Sequence, residues 1–217
     1  MAHIHLEDGS FTLFWVIVWW LIALLLVGWA LWSLRRVAHK DPAKITIAAF
    51  VTAASFAVFQ INIPLFGGVH LNLTPLIGIL TGPVLGPLVV LVVNILSAAI
   101  GHGGWGLIGA NVIVNLSEVL VAWLAFRGLA RIVPDLFVRA GIATFAGLFC
   151  GNCMMILIIL ISGIQGATGT PAQMLAGLSL IAAVNMGMAV IEAFLTGMVV
   201  RYIGKVRPDL LGVSPRE

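Results

Sequence analysis

Seven apolar stretches fill most of this chain, and their lengths decide what it can fold into. A helix rises about 1.5 Å per residue and a bilayer's hydrocarbon core is about 30 Å thick, so about 20 apolar residues cross it. Residues 11–34, 45–59, 85–100, 107–126, 140–161 and 174–200 approach or exceed that length. A shorter stretch, 75–80, stops at Gly82-Pro83, a pair that breaks or turns a helix. Of the 217 residues 61% are hydrophobic and 9% charged, against about 45–50% and 25% in a soluble domain. A water-soluble globule of this composition would lack the polar side chains to cover itself. The expected fold is an all-α, multi-pass integral membrane protein: a single bundle of about seven transmembrane helices with no internal repeat.

The cations fix an orientation, because Lys and Arg near span ends stay on the cytoplasmic side. With the N-terminus outside, one cytoplasmic loop holds Arg35, Arg36, Lys40 and Lys44, and the next holds Arg127, Arg131 and Arg139. The C-terminal end holds Arg201, Lys205, Arg207 and Arg216, so all 11 cations share one side. Omitting the stretch 75–80 would put Arg127 and Arg131 opposite the first cluster. The chain therefore divides into an external tail (1–10), a first helix (11–34), a six-helix core (45–205) and a cytoplasmic tail (206–217). No basic stretch precedes residue 11, and Glu7 and Asp8 suit a short translocated tail, so a retained first helix is expected rather than a cleaved signal. Topology accounts for the basic balance, which excludes nucleic-acid binding as a main role. Cys150 and Cys153 sit inside an apolar run, where neither a disulfide framework nor a zinc knuckle is indicated.

In this topology His3, His5, His70 and His102 are external, and only His39 lies with the cytoplasmic cations. Imidazole is the commonest metal ligand, and His3 has the chain's own amine beside it. If Met1 is removed, the Ala2 amine, the following amide nitrogen and the His3 imidazole form fused chelate rings, and His70 completes four nitrogens in a plane. If Met1 stays, amine, two amides and the His3 imidazole already make four, and His70 is axial or spare. Planar nitrogen ligation suits Ni(II) or Cu(II) better than Zn, Mg or Ca. The alternative is that these histidines are ordinary wet residues of a tail and two loops, the better reading for glycine-flanked His102.

Glu118 and Glu192 lie within apolar runs, where a charge is expensive and faces the protein interior. They are read as bonding to Asn111, Asn115, Ser117 or Asn185 inside the bundle, in preference to proton coupling or support of a metal-bound histidine. Ala49, Ala53 and Ala57 recur every fourth residue, spacing that lets another helix approach closely, either within the bundle or from another subunit. The chain has no Walker-type phosphate loop and no His-Glu-x-x-His or Gly-x-Ser-x-Gly motif. Active transport would draw its energy from a partner.

Three ordered motifs carry a family resemblance: Asn62-Ile-Pro-Leu-Phe-Gly-Gly-Val-His-Leu, Leu-Thr-Gly-Pro-Val-Leu-Gly ending at Gly86, and Gly101-His-Gly-Gly-Trp-Gly-Leu-Ile-Gly-Ala-Asn111. With the ending Val206-Arg-Pro-Asp-Leu-Leu211 they resemble the CbiM/NikM family, from about residue 4 to 211. Members are the substrate-capture subunits of energy-coupling-factor (ECF) transporters for cobalt and nickel. In that family the mature chain begins Met-His-Ile-x-[Asp/Glu]-Gly, and its amine, second amide and imidazole bind the ion with a histidine from the loop after the second helix. The loop histidine maps onto His70, in a shorter loop than is usual. A gapless match puts the family's first histidine on His5, whereas chelation by a free amine argues for His3. The implied ligands are Ala2, His3 and His70 with His5 as fourth or substitute, and Asn72, His102, Asn111 and Glu118 are candidates to support them.

The resemblance implies Co2+ or Ni2+ as transported substrate, no bound organic cofactor, and no enzymatic or ATPase activity of the chain's own. Its implied partners are a membrane scaffold (T) subunit, two cytoplasmic ATPases and a small accessory membrane subunit, in the plasma membrane of a prokaryote. The capture subunit topples to release its load inward, docking through small residues such as Ala49, Ala53 and Ala57. Planar nitrogen ligation leans to nickel and the overall similarity to cobalt. Two other readings are capture of an organic vitamin, which the Gly- and His-dominated external loops equip poorly, and an intramembrane metalloenzyme, which no hydrolytic motif supports.

Overall fold

The structure, a computed structural model, describes residues 8–37, 42–59, 62–63, 69–71, 73–101, 103–167 and 169–211. Its helices are α1 (Leu13–Val37), α2 (Pro42–Phe59), α3 (Thr74–Ala99), α4 (Ile108–Gly128), α5 (Leu136–Ser162) and α6 (Pro171–Val206). A two-stranded antiparallel hairpin, β1 (Asn62–Ile63) and β2 (Val69–His70), separates α2 from α3. Five segments are long and apolar enough to cross a membrane: Leu13–Arg35, Thr74–Ala99, Trp105–Arg131, Leu136–Ser162 and Ala172–Val206. The apolar part of α2, Ile45–Val58, is shorter.

The expected stretches 75–80 and 85–100 both fall in α3, as two arms joined at Gly82. Gly82 has φ +67° and ψ −167°, a backbone that favours glycine, and Pro83 opens the second arm with its φ already helical. In an unbroken helix residues 78 and 86 would stand about 12 Å apart. Here a Cβ at either position would run into Val119 of α4, and one at Gly86 would also lie 3.4 Å from Thr81 Oγ1. The chain therefore turns back sharply at Gly82, and both arms pack on the same residue.

Helix α4 is the centre of the bundle: Ala110, Val112, Val114, Val119 and Ala122 have no exposed surface. Glycines set the close approaches around it. A Cβ at Gly109 would lie 2.5 Å from the Trp20 backbone nitrogen of α1, and one at Gly147 would lie 2.9 Å from the Glu118 carbonyl. Helices α5 and α6 start on side-chain caps: Asp135 accepts from the Val138 amide at 2.9 Å, and Thr170 and Gln173 form a reciprocal capping box. These caps satisfy amides that the first helical turn leaves orphaned.

Several helices run past the cations expected to end them. The α5 stretch, expected from 140, begins at Leu136 because Arg139 is buried in the helix, its guanidinium 4.3 Å from the Phe126 ring centroid. Helix α6 continues through Arg201 and Lys205 to Val206, and α1 through Arg35 and Arg36 to Val37. At 36 residues, α6 is about 54 Å long, more than a hydrocarbon core requires. Beyond it, Arg207 grips Asp209 with two hydrogen bonds of 2.9 and 2.8 Å. Leu211 then folds under the bundle with Leu76, Ile79 and Phe126.

Candidate metal-capture site

The beginning of the described chain is stitched to one end of the bundle. Asp8 places its carboxylate against the turn that opens α4, accepting from the Gly106 amide at 2.8 Å (Oδ1) and the Trp105 amide at 3.1 Å (Oδ2). Amides at a helix start lack intrahelical acceptors and carry the positive end of the helix dipole, so a carboxylate is the natural partner. The loop's composition follows from this approach. A Cβ at Gly104 would overlap the Asp8 carboxylate, and one at Gly106 would lie 3.2 Å from its Oδ1.

The next residues are held as well. Gly9 has φ +90° and turns the chain, and the Ser10 carbonyl accepts from the Gln165 amide at 2.8 Å, in the loop after α5. Trp20 donates its indole N–H to the Trp105 carbonyl at 3.3 Å. Trp19 donates to Ser162 Oγ at 2.8 Å, and its ring stacks on Trp15. The start of α1, the loop before α4 and the end of α5 thus converge on residues 8–10.

Ala2, His3, His5, Asn72 and His102 lie outside the described residues. His70 is placed by its backbone in β2, paired with Asn62 in β1. Asn111 and Glu118 are buried on α4, seven residues apart and so on one helix face. Asn111 is in the first turn, close to where Asp8 docks. Glu118 is about 18 Å along the helix from Gly106, its carboxylate pressed against Gly151 of α5, where a Cβ would overlap it. Glu192 is fully buried in α6, one residue before Ala193, whose carbonyl would lie 3.6 Å from a Cβ at Gly141. Gly141 is ten residues before Gly151 on α5, so the two acids belong to different layers. The Asn185 amide goes to Asn152 Oδ1 at 3.0 Å, and Ser117 Oγ donates to the Val114 carbonyl at 2.6 Å. Among the described residues, no three of His, Cys, Asp or Glu converge to hold an ion. Ala49, Ala53 and Ala57 are exposed on α2, whereas Ala48 and Ser55 face inward.

In sequence Asp8 is a tail acid that falls, with Gly9, on the [Asp/Glu]-Gly of the opening motif when His5 is matched without a gap, and that match names no partner for it. The available signal was an acid-glycine pair in a tail together with a glycine-rich loop opening a helix, whose free amides need an acceptor.

The profile of the family CbiM, cobalt uptake substrate-specific transmembrane region, matches residues 5–210. A putative cobalt transport protein, CbiM 1 of Methanocorpusculum labreanum, is 27% identical over 217 residues, covering 95% of this chain and 91% of that one. The cobalt transport protein CbiM of Thermosynechococcus vestitus is 32% identical over 155 residues, covering 68% of this chain and 58% of its own. A crystal structure of a transition metal transporter superposes with a TM-score of 0.77 at 18% identity, covering 94% of this chain and 93% of that one. At that identity the match speaks for the fold.

Proposed function

This chain belongs to the CbiM family of cobalt-uptake transmembrane regions, a multi-pass membrane component of metal transport in the prokaryotic plasma membrane and not itself an enzyme, and on that premise we propose that it is the ion-capture subunit of an ECF-type importer for Co2+ or Ni2+. The observation that carries the proposal is the docking of Asp8 on the Trp105 and Gly106 amides. It anchors the base of the tail that carries Ala2, His3 and His5 at the end of the bundle where α4 begins. Residues 2–7 reach at most about 20 Å from that anchor. Helix α1 leaves the same end, and α2 begins five residues after α1 stops. In the seven-span reading α2 returns to the end where α1 begins, and hairpin β1–β2, with His70, would then lie at the end where the tail is anchored.

In this reading the Ala2 amine, an amide nitrogen and the His3 imidazole, with His70 and with His5 as fourth or substitute, clasp one ion; Asn72, His102 and Asn111 support them. Glu118, about 18 Å along α4 from Gly106, is better suited to holding α4 against α5. The turn at Gly82 supports a seven-span bundle with the N-terminus outside and all cations inside, since it reverses the chain without needing a charged loop. The outward face of Ala49, Ala53 and Ala57 supports docking to a membrane scaffold subunit that works with two cytoplasmic ATPases and a small accessory membrane subunit, these supplying the energy.

The test is calorimetric titration of the purified chain with NiCl2 and CoCl2, with intact-mass measurement of its first residue. One ion per chain, lost in His70→Ala and weakened when the N-terminal amine is blocked, is the expected result. Full affinity in an N-terminally extended His70→Ala protein would overturn the chelate.

A further inference from the structure

We propose that Asp8 is a positioning residue for ion capture: it clasps the N-terminal tail to the loop before α4 so that the tail's nitrogens are presented as a preformed half-site. The inference rests on the proposed function above and adds to it a residue outside the ligand set.

Three observations carry it. Both Asp8 oxygens accept backbone amides, Oδ1 from Gly106 and Oδ2 from Trp105, so the carboxylate is held on the loop at two points. The loop is shaped to receive it, since a side chain at Gly104 would displace the carboxylate. The clasp is also braced from both sides: the Trp105 carbonyl takes the Trp20 indole N–H, and the Ser10 carbonyl takes the Gln165 amide. Hydrogen bonds to a charged group are the strong kind, and two of them at a helix start fix the position of Asp8. His5 is three residues from that point and His3 five. A tethered ligand binds at an effective concentration set by its tether, and holding the tether's base removes ordering cost that binding would otherwise have to meet. Without the clasp, the base of the tail retreats to Ser10, which the Gln165 amide still holds.

The experiment uses the full chain in detergent, with Asp8→Asn, Asp8→Ala and Gly104→Ala; the last displaces the carboxylate while leaving the tail sequence intact. Gly187→Ala, where a Cβ meets nothing within 4 Å, is the control. Two readouts are taken on each: hydrogen exchange at the Trp105 and Gly106 amides without metal, and titration with NiCl2 and CoCl2. In the parent protein both amides are protected. In Asp8→Ala and Gly104→Ala that protection is lost and affinity for the ion falls about tenfold or more, the scale of charge-assisted hydrogen bonds. Saturating stoichiometry and the metal-free melting temperature stay near those of the control. Asp8→Asn, whose amide oxygen still accepts one bond, lies between. Unprotected amides in the parent protein would overturn the clasp. Protection lost with affinity within about twofold of the parent, well short of the loss of one such bond, would overturn its positioning role. Binding of neither ion by the parent overturns the functional reading itself, and that result appears before any substitution is made.

Discussion

Asn185 donates its side-chain amide to Asn152 Oδ1 across 3.0 Å, joining α6 to α5 inside the bundle. Asn152 in turn donates to the Leu148 carbonyl at 2.9 Å and lies 3.6 Å from Met186 Sδ, so one amide group ties two helices and its own preceding turn. Replacing either asparagine by leucine strands the other's polar group in an apolar interior, while replacing both removes the demand altogether. Each single variant should lose about 1 kcal/mol, and a double-mutant cycle on unfolding in detergent should give a coupling of about 0.6–1.7 kcal/mol. Simple additivity of the two losses would show that the pair is not coupled.

Gly82→Ala should destabilise the fold by about 1–2 kcal/mol, because an L side chain is forced into the left-handed region. The added Cβ also meets Trp123 Nε1 at 3.4 Å. A melting temperature equal to that of the parent would mean that the turn between the two arms of α3 does not need this conformation.

Gly109 and Gly187 should respond in opposite directions. A Cβ at Gly109 meets the α1 backbone at Trp19 and Trp20, whereas at Gly187 nothing lies within 4 Å. Gly109→Ala should cost about 1–3 kcal/mol by overpacking, with α1 pushed off α4. Gly187→Ala should gain up to about 1 kcal/mol of helix propensity. Thermal unfolding of the two variants side by side checks the contrast.

Ala49→Leu, Ala53→Leu and Ala57→Leu change an outward face of α2, so stability should stay within about 0.5 kcal/mol of the parent and ion affinity should not move. Retention of the partner subunits on co-purification should fall, most for the triple variant. Loss of ion binding instead would argue that the stripe serves the capture site.

The helices were readable because a hydrocarbon environment demands long apolar runs, and Gly82-Pro83 announced its turn because few other pairs can make one. Helix ends were not. Charge marks the membrane boundary rather than the end of hydrogen bonding, and Arg139 goes further by burying its guanidinium on Phe126. Spacing alone could not say which way Ala49, Ala53 and Ala57 face, since an inward and an outward stripe share one period. Asn185 was one of four candidate partners for the buried acids, and its amide donates to Asn152; polar groups in apolar helices advertise a need for partners without naming them. Asp8-Gly9 falls on the acid-glycine pair of the resembled opening motif, but no motif names its partners, because they are backbone amides 97 and 98 residues away.

The carboxylate of Asp8 also sets the origin from which the tail is measured. Residues inserted before it lengthen the free end that must find its ion, while changes within α1 leave that reach untouched. Two chains that keep this anchorage but differ in the number of residues ahead of it would carry the same tether post with a different length of line.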